Sequence, residues 1–250
     1  MSGHSKWSTI KHKKAAKDAK RGKMFTKLIR EITVAARMGN SGDPNFNPRL
    51  RTAILAAKAA SMPNDNIDRA IKKGIGEGGG AAYEDVMYEG YGPGGVAIMV
   101  RALTDNRNRT VADVRGIFQR GGGSIGEAGC VGWMFQRRGV LVVSGRALDE
   151  DALMEITLEA GGDDVTGGDA AWEITTSPEA FEAVRDALDK GGATIESAEI
   201  TMVPSNTVSV TGHDAQQLLK LLESLEDHDD VQAVSANADL DEEEVARLSA

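Results

Sequence analysis

RRGVLVVSGRALDEDALMEITLEAGGDDVTGGDAAWEITTSPEAFEAVRDALDKGGATIESAEITMV, residues 137–203, alternates short β-branched runs with longer stretches of helical period. Val140 to Val143 reads as a strand and Asp149 to Ala160 as a helix. A second strand is centred near Val165, a third spans Ala171 to Thr175, a second helix Pro178 to Lys190 and a fourth strand Thr194 to Met202. The order βαββαβ is the ferredoxin-like unit, so residues 137–203 read as a self-contained α/β domain.

The flanks are incomplete on their own. Upstream, Val86 to Tyr91 and Val96 to Leu103 read as strands joined by Gly92-Pro93-Gly94-Gly95, a hairpin signal. A helix from Thr110 to Gln119 follows, then a strand from Val131 to Gln136 whose Trp133 and Phe135 alternate like core residues. Downstream lie a strand at Thr207 to Thr211, a helix at Asp214 to Leu225 and a strand at Val231 to Ser235. These cannot close a sheet alone and complete the upstream ββα segment. The expectation is a discontinuous α/β domain, residues 81–136 and 204–250, with residues 137–203 inserted into it and the acidic DLDEEEV, 239–245, on the surface.

Residues 1–80 have a different character. Between Met1 and Gly39 there are eleven Lys and Arg and two acids, Asp18 and Glu31, in a chain of net charge −9. On a helix, Lys13, Lys14, Lys17, Lys20 and Arg21 share an arc of about 120°, with His12, Ala15, Ala16 and Ala19 opposite. Phe25, Leu28, Ile29, Ile32, Ala35 and Ala36 then mark a second, amphipathic helix that stops at about Gly39. Asn47-Pro48 reads as the cap and first residue of a third helix, burying Leu50, Ala53, Ile54 and Ala57. Pro63 ends it. A fourth helix from Asn64 or Asp65 buries Ile67, Ala70 and Ile71, and GIGEGGG, 74–80, is a flexible linker. The fold class expected is therefore α+β and multidomain: a basic N-terminal helical bundle, then two α/β domains.

Charge divides along the same line. Residues 1–80 carry 17 Lys/Arg and 6 Asp/Glu, whereas residues 81–250 carry 12 and 32. Such a split suits a basic module that binds a polyanion beside an acidic body that stays clear of it or meets a basic protein partner. Each phosphate neutralised by the cationic strip releases condensed counterions. The candidate nucleic-acid contacts are Lys13, Lys14, Lys17, Lys20 and Arg21, supported by Lys6, Lys11, Lys23, Lys27 and Arg30. A secondary anion site is read at Arg107 and Arg109 in TDNRNRT, 104–110. The competing reading there is capping by Asn108 or Thr110, with both arginines paired to nearby acids.

Catalytic chemistry finds little support. His4, His12, His213 and His228 form no paired ligand motif, and nucleophile-elbow, Walker and dinucleotide fingerprints are absent. Cys130, the single cysteine, excludes an internal disulfide and a cysteine-based zinc cluster. No window approaches 18 consecutive apolar residues, and no signal-peptide core is read at the N-terminus. The expectation is a cytoplasmic, non-enzymatic protein with no catalytic or metal residues and no membrane partner.

GHSKWSTIKHKKAAKDAKRGKMFTKLIREI, NPRLRTAILAAKAASMPNDNIDRAIKKG, YEGYGPGG and TDNRNRT together resemble the YebC family of transcriptional regulatory proteins, which has a mitochondrial branch that activates translation. The resemblance covers nearly the whole chain. It implies three domains, a basic helical one first, together with cytoplasmic location, nucleic-acid binding and no cofactor. The chain departs from the family pattern at Asn40-Ser41, where relatives tend to be glycine-rich, and at Cys130, where a small hydroxyl residue is usual. Two targets fit the resemblance: DNA, as a transcriptional regulator, or the ribosome and its RNA, as a translation factor. A Lys-dominated helix acts on phosphate as point charges, which favours sequence-independent contact. An acidic protein-interaction module without nucleic-acid binding is the alternative of a different class.

Overall fold

The computed structural model describes residues 18–76, 83–145, 148–168 and 171–240. Three helices come first: α1 (Asp18–Met38), α2 (Pro48–Ala59) and α3 (Asn64–Gly74). Then follow β1 (Glu84–Tyr91), β2 (Ala97–Thr104), α4 (Arg107–Arg120), β3 (Ser124–Ile125), β4 (Phe135–Ser144), α5 (Glu150–Glu159), β5 (Asp164–Gly168) and β6 (Ala171–Thr176). The described chain ends with α6 (Phe181–Lys190), β7 (Ile195–Pro204), β8 (Val208–Val210), α7 (Gly212–Glu226), β9 (Val231–Ala236) and β10 (Ala238–Leu240). The protein is thus mixed α/β, with seven α-helices among the described residues.

The apolar stripes of the first three helices meet around Ile32, Ala36, Leu50, Ala57 and Ile67. Where the periodicity predicts a break before Phe25, the structure has one uninterrupted helix from Asp18 to Met38. Asn47 is the joint of this unit. Its amide nitrogen donates to the Ala35 carbonyl at 2.8 Å, closing the end of α1, while its Oδ1 accepts from Leu50 N–H at 3.1 Å, capping α2. Gly39 is required by that closeness, because a Cβ there would lie 2.2 Å from the Asn47 amide nitrogen. The left-handed residue that turns the chain is Asn40, at φ 44°.

The first sheet has the order β3-β1-β2-β9, antiparallel throughout. Its β1–β2 hairpin turns through Gly94 and Gly95 at φ 71° and 75°, a conformation that excludes most side chains. β9 pairs with β2, so the end of the described chain returns to the hairpin formed near its middle. Helices α4 and α7 cover one face, packing Val114, Phe118, Leu218 and Leu222 on Ile98 and Val100. At about 1.5–3 kcal/mol for each fully buried apolar side chain, this face holds the sheet and both helices together.

Between the halves of that sheet in sequence, residues 135–204 form a second antiparallel sheet of order β5-β6-β4-β7. Helices α5 and α6 lie over it, with Leu153, Phe181, Val184 and Leu188 against Leu141, Val143 and Ile174.

Three local readings are corrected. The strand expected at Val131–Gln136 is a 3₁₀ turn at Gly132–Met134 followed by β4, which starts at Phe135. The turn breaks the two-residue period, so Phe135 is buried at 6% exposure while Trp133 is 72% exposed. Helix α4 begins three residues early, because Asn106 is its cap, accepting from Arg109 N–H at 3.0 Å. In the acidic segment read as surface, Asp239 and Leu240 belong to β10, which pairs parallel with β8 and buries Leu240. The rest of that segment, and residues 77–80 of the linker, lie outside the described residues.

Candidate nucleic-acid interface

Of the cations read as phosphate contacts, Lys6, Lys11, Lys13, Lys14 and Lys17 lie outside the described residues. Lys20 and Arg21 belong to the first turns of α1. Lys23, Lys27 and Arg30 follow at i, i+4 and i+7 and so share a face. That face meets residues 226–230, where α7 ends and the chain turns into β9. Lys23 Nζ donates to the Asp227 carbonyl at 3.2 Å, with the Asp227 carboxylate 3.7 Å away. Lys27 Nζ donates to the Glu226 carbonyl at 2.5 Å. Arg30 donates to the Asp229 carbonyl at 2.6 Å and the Asp230 carboxylate at 2.7 Å. The partners sit at the negative end of the α7 dipole, which favours cations. The structure therefore places these three cations on the protein's own acidic turn.

Asp230 is the centre of that contact. Its side chain is 4% exposed. Oδ1 takes Arg30, and Oδ2 accepts from the Thr110 hydroxyl at 2.6 Å, Arg109 at 2.8 Å and the Thr104 hydroxyl at 3.3 Å. Burial alone would raise the pKa of this carboxyl. The Thr110 hydroxyl, Arg109 and Arg30 outweigh it and hold the value down to about 2. Asp230 N–H donates to His228 Nδ1 at 3.2 Å, and Nε2 of the same ring lies 3.4 Å from Asp113 Oδ2.

TDNRNRT is thereby divided among several tasks. Thr104, Arg109 and Thr110 hold Asp230, Asn106 caps α4, and Asp105 accepts from Arg109 at 3.0 Å. Asp230 and Asp105 push the Arg109 guanidinium pKa up. Arg107 is exposed and has no ion pair among the described residues, so the structure does not bring Arg107 and Arg109 onto one anion. A cleft of about 570 Å³ lies between α1, α4 and the acidic turn. Five carboxylates and three cations line it, a mixture that satisfies itself rather than a vacant phosphate pocket.

A second ionic joint escaped sequence reading. Arg49 reaches Glu31 at 2.7 Å and Asp85 at 3.0 Å, while Arg101 reaches Glu31 at 3.0 Å and Asp85 at 2.7 Å. Two acids and two arginines thus join α1 and α2 to the hairpin. Burial would raise the Asp85 pKa, but Arg101 and Arg49 draw it below the usual carboxylate range. Arg101 was visible as the one charge in the apolar strand AIMVRALT, although nothing local names its partners.

The loop before β4 is fixed from below. The Glu89 carboxylate accepts from Gly129 and Val131 N–H, each at 2.8 Å, and Gly132 N–H at 2.6 Å. Burial and then the Glu89 charge push the Cys130 thiol pKa up, away from the thiolate a nucleophile needs. Among the described residues no group of His, Cys, Asp or Glu could hold a metal ion, and no helix is long and apolar enough to cross a membrane.

Residues 5–77 match the family model described as the TACO1/YebC protein N-terminal domain, and residues 83–238 match the TACO1/YebC second and third domain. A probable transcriptional regulatory protein of Desulfatibacillum aliphaticivorans is 58% identical over 98% of this chain and 99% of its own length. Another so named, from Geobacter sulfurreducens, is 58% identical over 99% of this chain and its whole length. The crystal structure of a conserved hypothetical protein from Aquifex aeolicus, 52% identical, aligns with a TM-score of 0.84 over 93% of this chain and 96% of that one.

Proposed function

This chain belongs to the TACO1/YebC family, and from that premise we propose that it is a nucleic-acid-binding regulator of gene expression, specifically a DNA-binding transcriptional regulatory protein. The observation that carries the reading is the concentration of eleven cations against two acids in residues 1–39 of an otherwise acidic chain. The names of the full-length relatives support it. Lys13, Lys14, Lys17, Lys20 and Arg21 make the phosphate contacts, and the protein acts in the cytoplasm by binding, without catalysis. In domain terms, residues 1–80 are the nucleic-acid-binding helical unit. Residues 137–203 are a ferredoxin-like domain inserted into an α/β domain made of 81–136 and 204–250.

Five phosphate contacts predict a log–log dependence of affinity on salt with a slope of about −3.5 to −4.5. Replacing Lys13, Lys17 and Lys20 by Glu abolishes binding while leaving the thermal transition in place. In-cell crosslinking, with sequencing of both bound DNA and bound RNA, separates the targets. Promoter DNA above a background of ribosomal RNA is the expected result. Enrichment of one region of ribosomal RNA would make the protein a translation factor, and neither polymer above background would leave the acidic body as a docking module.

A further inference from the structure

Helix α4 holds a second concentration of positive charge. Arg107, Arg109, Arg115 and Arg120 are four of the twelve Lys and Arg in residues 81–250, within a helix of fourteen residues whose single acid, Asp113, faces His228. Thr110, Val114, Ile117 and Phe118 form its buried side. Helical periodicity then sets Ala112 and Gly116 at the middle of the opposite side. Asn108, Arg115 and Gln119 run along one flank of that line, and Arg109 and Arg120 along the other. Arg115 and Arg120 are exposed and have no carboxylate within ion-pair distance among the described residues.

Gly116 supplies an independent observation. Mid-helix glycine is a poor helix former, and it is retained where something comes close to the backbone. Among the described residues nothing does: a Cβ on Gly116 would meet only the flexible end of Arg120, at 3.2 Å from Nη1. A small, uncharged ridge flanked by arginines matches a sugar–phosphate backbone, which requires close approach along its centre and cations on both sides. The α4 surface also continues into α1. Arg109 and Asp113 form one wall of the cleft whose opposite wall carries Lys23 and Arg30. Gly22, in the second turn of α1 between Arg21 and Lys23, likewise has nothing among the described residues within 4 Å of the position its Cβ would take.

We propose that the solvent face of α4 is a second nucleic-acid contact surface, on which a sugar–phosphate backbone lies along Ala112 and Gly116 with Arg115 and Arg120 on phosphates to either side. The inference rests on the nucleic-acid reading above and extends the contact from the N-terminal helices onto the acidic body.

The test uses the full-length chain in fluorescence-anisotropy titrations against a 20-base-pair DNA duplex and an RNA hairpin, from 50 to 200 mM salt. The variants are Arg115→Glu with Arg120→Glu, Gly116→Leu, and the N-terminal Lys13→Glu, Lys17→Glu, Lys20→Glu set. The arginine variant should bind about tenfold more weakly and lose about 1 to 2 from the steepness of the salt slope. Gly116→Leu should also weaken binding while melting no lower than the parent, because leucine is the better helix former and the neighbour its Cβ meets among the described residues is the flexible end of Arg120. Losses on both polymers identify the shared backbone as the ligand, and losses on one identify that polymer. Parent-like binding by both α4 variants, with the N-terminal set defective, would refute this surface and leave the N-terminal site standing. A parent chain that binds neither polymer would overturn both.

Discussion

Replacing Asp230 by Asn keeps the size of the side chain and removes the charge on which α1, α4 and the turn into β9 converge. A carboxyl held at about 2 in the folded protein and near 3.9 in the unfolded chain contributes about 2.5 kcal/mol at neutral pH. The Asn amide adds a hydrogen-bonding conflict. All four side-chain partners, Arg30, Arg109, Thr104 and Thr110, are donors to this carboxylate, so an NH₂ must face at least one of them, at about 1–3 kcal/mol. The expected loss is about 4–5 kcal/mol at pH 7, measured by urea denaturation followed by circular dichroism. The charge-dependent part has a definite sign. The folded pKa lies below the unfolded one, so the contribution is complete above about pH 5 and is lost as pH falls through about 2. At pH 3 about half of it remains, and the gap between parent and variant narrows by about 1 kcal/mol. A difference below about 1 kcal/mol at pH 7, or one equal at pH 7 and pH 3, would show that the network is ornamental to stability and that α1 is held by its apolar stripe.

Asn47→Ala removes the α2 cap and the donor to Ala35 together, and should cost about 1–3 kcal/mol by the same denaturation measurement, whereas the neighbouring exposed Asn45→Ala should cost under about 0.5. The turn at Gly132–Met134 makes a paired forecast: Phe135→Ala lowers stability by about 3–5 kcal/mol, and Trp133→Ala by under about 1, a ranking that differential scanning calorimetry of the two variants checks directly.

What could be read in advance was what short stretches of chain determine by themselves. Asn47-Pro48 marks a helix start because a side-chain acceptor and a fixed φ act within three residues, and Gly92-Pro93-Gly94-Gly95 marks a hairpin because only such residues make its turn. That Thr207 to Ser235 completes the upstream segment could be expected, since these elements cannot close a sheet alone, but the strand they join, β2, could not be named from the sequence. The site was less so. Lys23, Lys27 and Arg30 read as supporting charge for phosphate because their protein partners lie about 200 residues away, at 226–230. TDNRNRT could be read as a polar helix start, yet its central task, holding Asp230, depends on a residue 120 positions further on. Trp133 misled for a local reason: a three-residue 3₁₀ turn reverses the in-and-out alternation that a strand would have kept.

The docking of α1 constrains how nucleic acid can use the basic N-terminus. If Lys23, Lys27 and Arg30 joined the five cations of the proposed strip on phosphate, eight contacts would give a salt slope of about −5.6 to −7.2. Each of the three would first have to leave Glu226, Asp227, Asp229 or Asp230, and Arg30 would leave Oδ1 of a buried carboxylate without its arginine in doing so. That cost makes the docked arrangement the stable one during binding, so the slope stays between about −3.5 and −4.5 for the N-terminal strip, before any contribution from α4. Substituting Lys23 and Lys27 by Gln distinguishes the cases: a docked pair leaves the slope unchanged and lowers the melting temperature, while a phosphate-bound pair flattens the slope by about 2.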